Sequence, residues 1–428
     1  MGSKTKTVAT KEEAKPALVP KLRFPEFRGE EWDKKKIGSM LIETPRPIDL
    51  EDATEYNLVT VKRRYGGLVS RGKLKGREIK VNTQFLVHKG DFLISKRQIV
   101  HDACGLVPET LDGAVVSNEY SVLTPKAGCS VEYINWFAQQ PCVSRSFLQC
   151  SVGIVIEKML FKLEAWLKWE FLFPGLPEQQ KIAECLSSVD DLMAAQARKV
   201  DALKTHKKGL MQQLFPREGE TQPRLRFPEF QNAGEWEVRE LGSLSDVRDG
   251  THDSPAFFLT GRPLVTSKNL QPDGTLDLEN VSLISDEDYE QINKRSKVTV
   301  GDILFGMIGT IGNPVLIKSE GFAIKNVALI KELGPLSNEF LVQLLQSGYV
   351  TAIFAVLNTG NSQKFIALGK IRGLPVPVPS PAEQQRIASC LSSLDALISA
   401  ETQKLEALKT HKKGLMQQLF PSPEAVEA

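Results

Sequence analysis

The sequence predicts an α+β protein made of two globular segments, each followed by a long heptad-patterned helix, and three observations predict it. Residues 203–216 recur at 408–421 with identity at every position. The apolar residues of both copies keep a 3.5-residue period for nearly five heptads. Between these stretches lie short β-branched runs punctuated by Gly, Asn and Asp, with amphipathic helical stretches among them.

Length and composition set the frame. A chain of 428 residues is too long for one ordinary core, so two to four domains are expected. An apolar fraction of 41% and a charged fraction of 25% describe a soluble globular protein, and a formal charge of +2 means that any nucleic-acid binding must come from local patches. The six cysteines form no CxxC pair and no Cys/His group with zinc spacing, which suits a reduced cytosol. No stretch approaches the roughly 20 apolar residues of a membrane span, and the polar start lacks a signal-peptide core, so a cytoplasmic location is expected. Residues 1–19, rich in Lys, Thr, Glu and Ala, read as a disordered tail, and 422–428 as a second tail.

The first globular segment, 20–176, opens on Leu22-Arg-Phe-Pro-Glu-Phe followed by Trp32, and the same phrase opens the second segment, 217–381, at Leu225 with Trp236. Inside the first segment, Tyr56–Val61 reads as a strand and Val131–Phe137 as an amphipathic helix. Lys62, Arg63, Arg64, Arg71, Lys73, Lys75, Arg77 and Lys80 face a single acid, Glu78, and Tyr65 sits among them. With Gly66, Gly67, Gly72 and Gly76 this reads as a flexible, exposed loop able to neutralise phosphates, with Arg suited to guanine; the alternative is a solvated basic hairpin with no ligand. Lys96 and Arg97 join the candidates.

The first long helix is expected over 177–216. Its Glu178-Gln-Gln-Lys-Ile-Ala returns at Glu383 as Glu-Gln-Gln-Arg-Ile-Ala in the second, expected over 382–421. The apolar seam runs Ile182, Leu186, Val189, Met193, Val200, Leu203, Leu210 and Leu214, then Ile387, Leu391, Leu394, Ile398, Leu405, Leu408, Leu415 and Leu419. Gln196 and Lys207, and their counterparts Glu401 and Lys412, interrupt it. So narrow a stripe wants a partner helix, most simply the other copy; the alternative is two surface helices, each packed on its own segment. Pro177 fits a first helical turn, while Pro216 and Pro421 mark where each pattern stops. Gly209 and Gly414, within the pattern, suggest a kink or a close backbone approach, or else a tolerated inheritance of the duplication.

In the second segment Val298–Phe305 reads as a strand and Glu339–Leu345 as a helix; Gly301-Asp-Ile-Leu echoes Gly90-Asp-Phe-Leu, and little else is shared between the inserts. Candidate binding residues here are Thr251, His252, Lys268, Asn269, Lys294 and Arg295, as polar side chains near turns. The run Gly306–Gly312 lacks the Lys-Ser/Thr of a phosphate loop and reads as a turn between strands. No assignable catalytic constellation, metal-ligand cluster or adenine-methylation motif is present in the sequence.

The repeated Glu-Gln-Gln-(Lys/Arg)-Ile-Ala, the helix ending Gly-Leu-Met-Gln-Gln-Leu-Phe-Pro and the Gly-Asp-(Phe/Ile)-Leu phrase together resemble the specificity subunits of type I restriction-modification systems, over residues 20–421. The resemblance implies that 20–176 and 217–381 are target-recognition domains, each reading one half of an asymmetric, bipartite site in double-stranded DNA. Their two helices would form an antiparallel coiled coil with an internal pseudo-two-fold repeat, a spacer of roughly 55 Å at 1.5 Å per residue. That exceeds one DNA turn of about 34–36 Å. It also implies that this chain binds no cofactor. Two modification subunits would bind S-adenosylmethionine and methylate adenine, docking on exposed helix faces, and restriction subunits would use ATP and Mg. Thr251, His252, Lys268 and Asn269 are candidates by resemblance to Gly-Thr-His and Lys-Asn turns in the family. The alternatives are a scaffold joining two protein-binding domains without DNA readout, and, against the missing motifs, a self-contained nuclease or methyltransferase.

Overall fold

A computed structural model describes residues 20–81, 83–217, 219–357 and 365–421; the expected tails, 1–19 and 422–428, lie outside them. The chain forms two compact units, one of residues 1–196 with 404–428, the other of 197–403. Both long helices are continuous, Leu176–Leu214 and Pro381–Gln418, each starting one residue before its expected bound and ending two or three before it. Pro216 and Pro421 thus fall beyond the last helical turn, since a residue preceding Pro is pushed out of the helical region. Each helix gives its first half to one unit and its second half to the other.

In the first unit a four-stranded antiparallel sheet runs in the order Leu41–Glu43, Tyr120–Pro125, Phe92–Ser95, Cys104–Leu106. Phe92, Leu93 and Ile94 are wholly buried because this central strand is covered on both faces. Asp33–Lys36 pairs separately with Glu170–Phe173. A five-stranded sheet carries Glu55–Val61 and, at its edge, Leu68–Lys75. The core gathers the Val131–Phe137 and Pro141–Gln149 helices around Tyr133, Phe137, Phe147 and Trp166, and Leu419 and Phe420 complete it.

The second unit has a sheet of the same order: Ser245–Asp249, Val327–Glu332, Ile303–Gly306, Gly312–Leu316. Glu237–Glu240 pairs with Pro375–Val378 as the first unit's opening strand pairs with its last. The Val298–Phe305 run is a strand only from Ile303, because Gly301 (φ 90°) turns the chain and Asp302 caps the turn, accepting from Thr299 N at 2.7 Å. Gly90 (φ 87°) and Asp91, accepting from His88 N at 2.7 Å, build the same turn in the first unit, which explains the shared Gly-Asp phrase. Gly306–Gly312 is a turn between strands, as expected.

The frame motifs are explained by buried polar clasps. Glu178 is 1% exposed and receives Arg23 through two nitrogens (2.9 and 2.6 Å) and the Trp32 indole N–H (3.1 Å). Glu383, also 1% exposed, receives Arg226 (2.8 and 2.6 Å) and Trp236 (3.2 Å). The adjacent glutamines repeat the pattern: Gln179 accepts from Ser130 N and donates to the Gly128 and Pro174 carbonyls, and Gln384 accepts from Ser337 N and donates to those of Pro335 and Pro379. Each opening phrase is therefore the other half of a site that the Glu-Gln-Gln completes.

Within each unit two helix segments lie side by side. In the second, Lys199 pairs with Glu401 (2.9 Å) and Lys207 with Asp395 (2.6 Å), so partner numbers fall as positions rise and the segments run antiparallel. In the first, Lys412 pairs with Asp190 at 2.7 Å and lies 4.6 Å over the Trp136 ring. Three of the four interruptions of the apolar stripe, Lys207, Glu401 and Lys412, are thus members of ion pairs between the helices. None of the sixteen apolar seam residues is exposed. Gly209 and Gly414 correct the expectation of a close approach: a Cβ at either would meet nothing within 4 Å, and both helices continue through them. Each helix end carries an aromatic plug into a unit core, Phe420 with its ring 5.6 Å from that of Tyr133 in the first unit and Phe215 5.7 Å from Phe340 in the second.

All six cysteines are free thiols, and burial pushes Cys129 up to about 12, which keeps it protonated near neutral pH. Among the described residues no single helix is long and apolar enough to cross a membrane.

Candidate nucleic-acid interface

The basic stretch of the first unit is an edge strand and its turn, which corrects the expectation of a flexible loop. Glu55–Val61 and Leu68–Lys75 pair antiparallel, Val61 opposite Leu68, and the chain reverses between them. Gly66 N donates to Arg63 O (3.1 Å), and the two central residues, Arg64 (φ 56°) and Tyr65 (φ 52°), both take positive φ. That is the backbone sense of the tight hairpin turn usually built from Asn-Gly, here made by two side-chain-bearing residues at a cost of about 1 kcal/mol or more each. Neighbouring chain holds it: Arg64 N and Tyr65 N donate to the His101 and Asp102 carbonyls (2.8 and 3.0 Å).

Tyr65 turns inward. Its hydroxyl donates toward Asp102 Oδ1 and Ala138 O, both at 2.9 Å, and burial, then the charges near it, holds the phenol far above its ordinary value, so it remains a neutral donor. Arg63 bonds Gln98 (2.7 Å) and Glu157 (3.1 Å). Lys62 and Arg64 are exposed, with no side-chain partner among the described residues. Lys96 follows the Phe92–Ser95 strand and donates from Nζ to Asn118 O (3.0 Å), while Arg97 pairs with Glu119 (2.7 Å). The fold thus gathers Lys62, Arg63, Arg64 and the 96–98 segment around one turn. Arg71, Lys73, Lys75 and Arg77 lie along or past the edge strand, away from that turn.

The second unit draws Thr251, His252, Lys268 and Asn269 together through contacts no local pattern shows. Gly250 must be glycine, since a Cβ would stand 2.4 Å from Ile324 O. This approach lets Thr251 N donate to Ile324 O and Asn326 N to Thr251 O (3.0 and 3.1 Å). His252 then sits between Asn326 Oδ1 (2.7 Å) and Asp249 Oδ2 (2.9 Å), and these two acceptors, Asn326 first, raise its pKa above the ordinary value. Arg295 reaches the other oxygen of Asp249, whereas Lys294 donates to Gln291 (2.8 Å) on its own helix.

Asn269 is 5% exposed and holds its own turn, accepting from Thr266 N (2.9 Å) and donating to Asn280 O (3.0 Å). Lys268, on the same turn, points to solvent beside a cavity of about 430 Å³ lined also by Phe257, Thr266, Asn280, Lys325 and Asn326. Lys325, Asn326, Asp249 and Phe257, and Gln98 and Glu157 in the first unit, were not legible as site residues; they arrive through strand pairing and turns remote in sequence.

Known proteins share this frame. The type I restriction modification DNA specificity domain matches residues 233–410. The MjaVIII type I restriction enzyme specificity subunit of Methanocaldococcus jannaschii is 26% identical over 432 residues, spanning 93% of this chain and 95% of the relative. The same organism's putative MjaX specificity subunit is 25% identical over 252 residues, 58% of this chain and 57% of its own. The type I restriction-modification S subunit of M. genitalium has the same fold, with a TM-score of 0.59 at 14% identity over 94% of this chain and 99% of that one. So does a chain from a study of assembly and conformational transition in a type I R-M system, with a TM-score of 0.55 at 16% identity over 91% and 98%. With its duplicated clasps and diverged inserts, the chain is similar over nearly its whole length to a type I restriction enzyme specificity subunit, and residues 233–410 match the DNA specificity domain of that family.

Proposed function

We propose that each unit reads one half of an asymmetric, bipartite site in duplex DNA, and that the two long helices act as an antiparallel coiled-coil spacer. The observation that carries this reading is a contrast. The residues that recur between copies build the clasps, the seam and the plugs, and leave Lys204, Lys208, Lys409 and Lys413 exposed on the long helices, whereas the globular segments differ in sequence and expose different cations, Lys62 and Arg64 in one unit and Lys268 in the other. A repeated frame that carries two segments with different exposed side chains fits two readers of different sequences. Cations at these places suit phosphates, and Arg64 suits guanine in the major groove.

The Lys207–Asp395 and Lys412–Asp190 pairs join equivalent positions with their roles exchanged, which supports an internal pseudo-two-fold repeat. The solvent faces of the helices are the docking platform for two modification subunits, which carry S-adenosylmethionine and methylate adenine; restriction subunits carry ATP and Mg. The assembly works in the cytoplasm, and this chain supplies recognition rather than chemistry. The test is a titration of the native complex with a duplex carrying the host's methylated motif and with a scrambled duplex, over a range of salt. Tighter, salt-dependent binding of the motif is expected; equal binding of both duplexes, or none, contradicts the reading.

A further inference from the structure

Each unit projects three consecutive apolar side chains beside its cations. In the first they are Ile154, Val155 and Ile156, which are 104%, 53% and 55% exposed; in the second Phe257, Phe258 and Leu259, at 61%, 51% and 99%. Single exposed apolar residues are ordinary, but three in a row, one of them wholly in water, mark a surface that something covers, and here both triplets are anchored, Ile156 opening a short 3-10 helix and Phe258 N donating to Leu283 O at 2.9 Å. We propose that both tips are wedges that insert between stacked base pairs of the half-site their unit reads, unstacking and bending the duplex there.

The chemistry around the tips favours a duplex over an apolar protein groove. In the first unit the tip rises from a short hairpin in which Ser151 faces Phe161 and Val152 faces Leu160. Gly153 closes it so tightly that a Cβ would stand 3.0 Å from the Met159 backbone. Glu157, next to the wedge, is held by Arg63 at 3.1 Å, which pins the tip to the Lys62–Arg64 turn. In the second unit Ser254, just before the wedge, is bonded by Lys325 at 2.6 Å, and Phe257 lines the same cavity as Lys268 and Lys325. Every base step is flanked by phosphates, so an apolar tip with cations at its foot matches a base step and its backbone. Aliphatic and Phe side chains are the types that enter such steps. The tips also come from different places in the two inserts, one late in its segment and one early, so common descent of the frame does not account for the resemblance.

The inference rests on the DNA reading above, and its test separates the two. The native complex is bound to duplexes carrying the host's methylated motif, with 2-aminopurine placed in turn at each position other than the methylated adenine. Fluorescence should rise at one step in each half-site. The triple substitution Ile154→Ala, Val155→Ala, Ile156→Ala should abolish the rise in one half only, and Phe257→Ala, Phe258→Ala, Leu259→Ala in the other. Each should weaken binding by roughly tenfold while leaving its salt dependence unchanged, since no cation is removed. A wild-type complex that binds with salt dependence but shows no rise, or variants that keep it, overturns the wedge and leaves DNA reading intact. Variants that unstack DNA as the wild type does but fail to hold the other subunits make the tips protein docks and overturn it too. Absence of salt-dependent binding by the wild type overturns both readings.

Discussion

Removing the cations at the Lys62–Gly67 turn tests the interface quantitatively. Lys62 and Arg64 are exposed and have no side-chain partner among the described residues, so each is free to release one counterion on meeting a phosphate. Arg64 takes φ 56°, which makes Asn its safest replacement, because Asn tolerates that region. For Lys62→Gln with Arg64→Asn, two lost contacts at about 0.9 each lower the slope of log affinity against log salt by about 1.8, or about twelvefold over a fourfold rise in salt. Arg63 already shares its charge with Glu157 at 3.1 Å, so Arg63→Gln should change the slope by less than one further unit. The assay is fluorescence anisotropy of the native complex on its motif duplex between about 50 and 200 mM salt. A slope unchanged in the double variant, with the unit still folded, would return the turn to a solvated surface.

Three further outcomes follow from the geometry. Glu383→Gln leaves Arg226 buried without its counter-charge and should destabilise the second unit by about 3–5 kcal/mol, read as faster hydrogen exchange in 197–403; a change below about 1 kcal/mol would mean that the clasp is replaceable. Gly209→Ala and Gly414→Ala should each stabilise by about 1 kcal/mol in urea melts, since a Cβ meets nothing within 4 Å; if a variant melts as expected but loses its partner subunits, a subunit contact uses that glycine. His252 has a raised folded pKa, so its contribution to stability is fully present below the unfolded value and lost as pH rises through the folded one. As an imidazolium facing DNA it should also make motif affinity fall over the same rise, against Asp249, Asn326 and Arg295 around it. His252→Gln should flatten that profile, and a profile identical to wild type removes His252 from the interface.

The frame was legible because it is repeated and periodic. Identity at 203–216 and 408–421 exposes the duplication, and the 3.5-residue spacing exposes helices with one narrow seam. The seam's polar beats read as interruptions, because an ion pair such as Lys207–Asp395 joins residues 188 apart. The shared sheet order of the two inserts left almost no trace beyond the Gly-Asp turns. A strand needs only a compatible pattern of burial, and many sequences supply one. At the candidate interface, clustered cations were visible, but their arrangement was not. Arg64-Tyr65 does not announce a turn with positive φ, and nothing in the sequence signals that Asn326 will meet His252 or that Lys325 will meet Ser254.

The central claim, that one insert reads one half of the site, meets its most direct test in an exchange. Residues 38–176 are replaced by the corresponding insert of a known specificity subunit, and methylated adenines are mapped across the host genome. The account predicts a motif changed in one half, with the other half and the spacing between them preserved. A motif changed in both halves, or a changed spacing, would contradict it.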